Sequence, residues 1–223
     1  MKKILLLVAA LVLTIGATAQ EKPFTYGIKA GLSLSQLSSG SVEYIGLSFD
    51  NAASDMLAGF FVSAHFNYSF GQSFGIQPEL SFSTQGGKST ITTENWRKYT
   101  ATDRFNYINI PVLFEIKPMA NFSIFVGNQF GFNIYKSRTT KGEVESSTIS
   151  GSDFDDTLKE NGWKFNNVDI AAVIGLQYAI AGKYLISARY NIGFTTVLDS
   201  DTDGMSVNGG DYRVFQFGIG YQF

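Results

Sequence analysis

Residues 213–223 read Arg-Val-Phe-Gln-Phe-Gly-Ile-Gly-Tyr-Gln-Phe. Arg213, Phe215, Phe217, Ile219, Tyr221 and Phe223 share one parity; Val214, Gln216, Gly218, Gly220 and Gln222 share the other. Successive side chains of a β-strand point to opposite faces. The segment therefore has one face of large apolar groups and one of small or polar groups. Helical spacing would scatter Phe215, Phe217 and Ile219 around a cylinder.

The same alternation recurs seven times upstream, over residues 24–34, 58–68, 74–85, 105–116, 122–135, 168–180 and 184–194. Strands of about 10 residues match a tilted crossing of a bilayer. The connections alternate in length. Residues 69–73, 117–121 and 181–183 are tight, whereas 37–56, 86–103, 137–165 and 196–211 are long and rich in Ser, Thr, Gly and Asp. Short turns on one side and long loops on the other are the pattern of bacterial outer-membrane barrels, with the short side periplasmic. The fold class expected is all-β: an eight-stranded, antiparallel, up-and-down transmembrane β-barrel. An even strand count puts both termini in the periplasm.

Which face is wet decides between this reading and a soluble lipocalin-like carrier. A soluble barrel keeps its apolar face inward around a ligand. An eight-stranded barrel is just wide enough inside for side chains to fill it. The Leu, Ile, Val, Phe and Tyr parity is too bulky for that lumen, while the Gly, Ser, Asn and Gln parity fits. Aromatics near the strand ends read as interfacial girdles, with Phe24, Tyr26, Tyr68, Tyr178, Tyr184 and Tyr221 at one rim and Phe105, Tyr135, Phe194 and Tyr212 at the other. Pro78 and Pro111 fall inside strands of a barrel with no free edge, so bulges are expected at both.

Residues 1–19 read as an address. Lys2 and Lys3 precede an uncharged apolar run over residues 4–15, and Ala17-Thr18-Ala19 supplies a small-residue cleavage site. That order describes a secretory signal peptide, and the run is too short for a membrane helix. The domain reading is signal peptide 1–19 and outer-membrane barrel 20–223. The 223 residues include no Cys, which excludes a disulfide scaffold, a thiolate metal site and a Cys nucleophile. A formal charge of −2 offers nucleic acid no bulk attraction.

Several segments together resemble the small outer-membrane barrels of the PorT type. They are Gly27-Ile28-Lys29-Ala30-Gly31-Leu32, Gln77-Pro78-Glu79-Leu80, Tyr107-Ile108-Asn109-Ile110-Pro111-Val112, Arg189-Tyr190-Asn191-Ile192-Gly193-Phe194 and Gly218-Ile219-Gly220-Tyr221-Gln222-Phe223. The resemblance covers nearly the whole mature chain. It implies an eight-stranded outer-membrane barrel and treats both prolines as family features. Some members of that family assist a type IX protein-secretion machine, and no residue here selects that role.

Four constellations are candidates for chemistry. The inward parity carries Lys29, Glu79, Glu115 and Arg189, with His65 and Asp169. Charges in a narrow lumen must be paired or heavily hydrogen-bonded, so the expectation is a self-satisfied polar plug, with a proton or small-ion path as the alternative. His65 is the only His, and a lipid-modifying or proteolytic enzyme would need a nucleophile beside it, such as Ser63 or Ser83. Asp199, Asp201 and Asp203, followed by Gly204, match the first half of a calcium loop, but Gly210 stands where the twelfth-position Glu belongs. Phe223, with Tyr221 before it, resembles the closing-strand signal that barrel assembly machinery reads. The function expected is non-enzymatic, without cofactor. Outer-membrane lipid surrounds the barrel, and a protein partner is expected at the long loops, especially residues 137–165, because function concentrates on loops over a rigid scaffold.

Overall fold

The computed structural model describes residues 23–38, 40–44, 47–51, 54–92, 98–142, 146–160, 163–200, 205–208 and 210–223. In chain order the elements are β1 (Phe24–Leu37), β2 (Gly40–Tyr44), β3 (Leu47–Asn51), β4 (Leu57–Ser69), β5 (Phe74–Thr92), β6 (Lys98–Met119), β7 (Phe122–Lys141), β8 (Ser146–Ser150), α1 (Ser152–Glu160), β9 (Trp163–Phe165), β10 (Val168–Ile180), β11 (Tyr184–Gly193), β12 (Leu198–Ser200), β13 (Met205–Asn208) and β14 (Tyr212–Gln222).

Eight of these strands form a closed antiparallel barrel in the order β1-β4-β5-β6-β7-β10-β11-β14, and β14 returns to pair with β1. The seam runs from Gly27↔Gln222 to Leu37↔Tyr212. Closure gives every wall strand a neighbour on each side and leaves no edge, which a bilayer requires. The turn between β10 and β11 shows local chemistry at work. Ala181 and Gly182 both take positive φ, 51° and 67°, and the Lys183 amide donates to the Ile180 carbonyl at 3.1 Å. The bond closes a tight turn inside the three-residue link that follows the last ladder pair, Ile180↔Tyr184.

The parity of the sequence sets the faces. Ile219 is 71 % exposed and Leu32 63 %, whereas Leu113 on the opposite parity is 0 % and Phe125 1 %. Two girdle assignments are corrected here. Phe105 and Tyr212 lie inside the barrel at 2 % exposure each. They share parity with the inward residues Tyr107 and Val214, and being aromatic near a rim did not place them outside. The inward face is also less polar than its composition suggests, since Phe61, Leu113, Phe125 and Val173 are buried in it.

The expected bulges at the prolines are absent. Register is kept across both sites, and the β6–β7 shifts fall instead between Asn106 and Tyr107 and between Ile116 and Met119. Pairing simply lapses. Between β4 and β5 it skips from His65↔Glu79 to Tyr68↔Ile76, past Pro78, and between β5 and β6 from Pro78↔Val112 to Ser81↔Asn109, past Pro111. A missing N–H removes a rung without requiring an extra residue. Both gaps flank Glu79.

The wall strands do not all stop at one rim. The β5–β6 ladder runs on through Gly86↔Arg104 to Thr92↔Lys98, and the upper half of β7 pairs with β8 from Ser137↔Ser150 to Lys141↔Ser146. A four-stranded sheet, β5-β6-β7-β8, thus rises at the long-loop end. Much of what read as loop in 86–103 and 137–165 is strand or helix.

Candidate functional site

The lumen holds three polar clusters and one apolar cap, stacked from the short-turn end. In the first, Glu115 accepts from Asn67 Nδ2 at 2.5 Å and Ser123 Oγ at 2.7 Å, and pairs with Lys117 Nζ at 3.1 Å. Gly75 stands across from Glu115 on β5, and a Cβ there would come within 2.9 Å of the carboxylate.

The second cluster centres on Glu79. Its Oε1 accepts from Lys29 Nζ at 2.7 Å, Arg189 Nη2 at 2.7 Å and Gln77 Nε2 at 2.6 Å, and its Oε2 from Arg189 Nη1 at 2.8 Å. The Arg189–Glu79 contact is the two-pronged geometry in which a guanidinium matches a carboxylate best. The side chains are 8 % exposed for Arg189, 1 % for Lys29 and 0 % for Glu79. Glycines across the ladder make room for the two long bases. Gly220 faces Lys29 and Gly175 faces Arg189, and a Cβ on Gly220 would lie 2.6 Å from Lys29 Cγ. The small parity of the closing strand is thus the space into which Lys29 folds. The structure brings Lys29, Glu79 and Arg189 into direct contact, while Glu115 pairs with Lys117 and is linked to Glu79 through Asn67 and Gln77.

The third cluster is a chain of neutral groups. Asn191 donates to Gln129 at 3.4 Å, Gln129 to Asn109 at 3.2 Å, Asn109 to Ser83 at 2.9 Å, and Gln85 also to Ser83 at 3.0 Å. Above it comes the cap. Phe154 and Leu158 of α1 pack with Phe105, Phe165, Tyr212 and Val214, each 5 % exposed or less. The Phe105 and Phe165 rings are 5.0 Å apart. Ion pairs clamp the rim around them. Lys136 meets Asp155 at 2.6 Å, and Arg138 meets Asp103 through two bonds of 2.6 and 2.9 Å.

Sequence reading missed α1. Its signal was present: Phe154 and Leu158 are four apart, Asp153 and Asp155 lie in the first turn, and Lys159 lies in the last. Asp155 of this helix is one arm of the rim clamp.

The nucleophile candidates lie inside the wall. His65, Ser63 and Ser83 are 1 %, 7 % and 0 % exposed, and Ser83 accepts from Asn109 and Gln85. His65 sits across the ladder from Glu79. Asp201 and Asp203 lie outside the described residues, and Asp199 is placed only by its backbone, opposite Lys164. Among the described residues no three His, Asp or Glu gather to hold a metal. Phe223 stacks on Tyr26 at 5.3 Å and meets Tyr221 at 5.0 Å, and its amide donates to the Tyr26 carbonyl at 2.8 Å across the seam.

A family model described as "Outer membrane protein beta-barrel domain" matches residues 18–199. The chain belongs to the outer membrane protein beta-barrel domain family. Among solved structures, this family member is similar to Ail, the attachment invasion locus protein of Yersinia pestis, at 15 % identity and TM-score 0.43, covering 90 % of this chain and 99 % of Ail. OprG of Pseudomonas aeruginosa is 13 % identical at TM-score 0.44, covering 89 % and 95 %. The outer membrane protease OmpT of Escherichia coli is 11 % identical at TM-score 0.39, covering 92 % and 99 %. No curated protein matches this outer membrane protein beta-barrel domain.

Proposed function

We propose that the protein is a non-transporting display scaffold of the outer membrane, with both termini in the periplasm and the β5-β6-β7-β8 sheet and α1 outside the cell. The observation that carries this reading is the division of labour along the barrel axis. Buried charge, amide chains and an apolar cap fill the lumen, while the wall continues past the cap as a sheet. Filling a narrow barrel in this way leaves no open conduit for solute across the membrane. Extending three wall strands beyond it and adding β8 makes a rigid surface for contact. Its polar ladder is built from pairs such as Thr90 with Thr100 and Thr139 with Thr148.

In this reading lipid surrounds the wall, the assembly machinery reads Phe223 and Tyr221 during insertion, and a protein partner engages the sheet. The burial of Ser63, Ser83 and His65 supports a non-enzymatic role over a lipid-modifying one. The motifs shared with PorT-type barrels support one specific form of it, an accessory part of a type IX-like secretion system.

The absence of native Cys makes the test direct. A Thr148→Cys variant should react with a membrane-impermeant maleimide on intact cells. Cross-linking from the same position should capture a partner that a variant lacking residues 143–148 does not. Labelling only after the outer membrane is broken would refute the orientation. Identical cross-links from the deletion variant, made from a second site in the sheet, would refute the role of this surface.

A further inference from the structure

We propose that the lumen binds a small monovalent inorganic anion beside Lys29, His65 and Ser63. The first argument is charge. Lys29 and Arg189 both converge on the single carboxylate of Glu79, leaving this cluster with one net positive charge. Glu115 acts on Lys29 only at longer range, and its own charge is matched by Lys117. Asp169 is too far. Its position on β10 is six residues from Gly175, the partner of Arg189, which is about 20 Å by strand rise. An uncompensated charge this deep is costly and needs a counter-charge near it.

The second argument is hydrogen-bond capacity. A Lys ammonium has three donors and a guanidinium five. Among the described residues, Lys29 gives one to Glu79 and Arg189 gives two. His65 is 1 % exposed with neither ring nitrogen partnered, and Ser63 is 7 % exposed with its hydroxyl unpartnered. Both face the same space: Ser63 is opposite Lys29 in the ladder, and His65 is opposite Glu79 on one side and Gly27 on the other. Gln177 Oε1 is also without a partner, but it is a neutral acceptor opposite Ser123 and Ser187, towards the Glu115 cluster. It takes up a donor without cancelling the charge. The surplus is therefore of donors and of positive charge, the combination that selects an anion. A single negative charge neutralises the cluster, and a divalent oxyanion would reverse its sign.

Chloride is the probe, and gluconate, too large for a filled eight-stranded lumen, is the comparison anion at constant ionic strength. Full-length mature protein in detergent micelles should melt at a higher temperature in chloride, saturably, by about 3–6 °C at roughly ten times the dissociation constant. Lys29→Met leaves Glu79 and Arg189 as a neutral two-pronged pair, and the chloride dependence should vanish. Glu79→Gln raises the cluster to two positive charges, and the dependence should grow. If that variant fails to refold, Lys29→Met still decides. Equal melting in chloride and gluconate for the wild type, or an undiminished chloride effect in Lys29→Met, overturns the proposal. The site does not depend on what binds the surface sheet.

Discussion

Replacing Glu79 by Gln tests how the charged cluster contributes to stability. The change keeps the side-chain outline but removes a charge shared by three cationic donors and the Gln77 amide. Each hydrogen bond to a charged group contributes about 1.5–3 kcal/mol. The glutamine carbonyl retains part of that, but two buried cations lose their counter-charge. Breaking a buried pair from one side costs about 3–5 kcal/mol, and that is the loss expected here. Adding Lys29→Met to Glu79→Gln should cost less than the two single changes together, because the second removes a charge the first has stranded. Urea-induced unfolding from phospholipid vesicles, followed by Trp163 fluorescence in a Trp96→Phe background, measures all three. A cost below about 1 kcal/mol for Glu79→Gln, additive with Lys29→Met, would mean the groups behave as solvated surface charges, and the buried-cluster reasoning would be wrong.

Three further outcomes are expected. Phe154→Ala should cost about 3–5 kcal/mol of cap stability, freeing α1 while the barrel persists; limited proteolysis within 152–160 and a red shift of Trp163 emission check it, and a protease-resistant helix would show that Phe154 does not hold the cap. Ile174→Arg, midway along β10 on the outward face, should cost about 2–4 kcal/mol in vesicle-based unfolding, while Phe194→Arg near the rim should cost about 0–1 kcal/mol; equal costs would contradict the depth assigned to them. Phe223→Ser removes two ring contacts at the seam and should cost about 1–3 kcal/mol in vitro while slowing insertion in cells more than that loss explains; insertion at the wild-type rate would leave Phe223 as a girdle residue only.

What the sequence disclosed followed from the solvent on each side of the wall. Lipid demands an apolar side chain at every second position, so all eight wall strands were legible from 24–34 to 213–223. Parity placed Lys29, Glu79, Glu115 and Arg189 in the lumen, but could not say that Glu115 leans towards Lys117. Above the rim both faces meet water or polar neighbours, so the β5–β6 extension carries no alternation and read as loop. The cap was hidden for the opposite reason. Phe105, Tyr107, Tyr212 and Val214 are apolar or aromatic on the face expected to be polar, and only contact with Phe154 and Leu158 gives them a role. The prolines show a limit of local rules. Absence of an N–H predicts a lost rung, and whether a bulge accompanies it depends on neighbouring strands that keep register on both sides.

In the proposed function the barrel is filled from the Glu115 cluster to the α1 cap and conducts no solute across the membrane. Planar-bilayer recording of the purified full-length protein tests it most directly. Bilayers should remain at baseline conductance apart from rare brief events. Large, long-lived channels from the wild-type protein would contradict it.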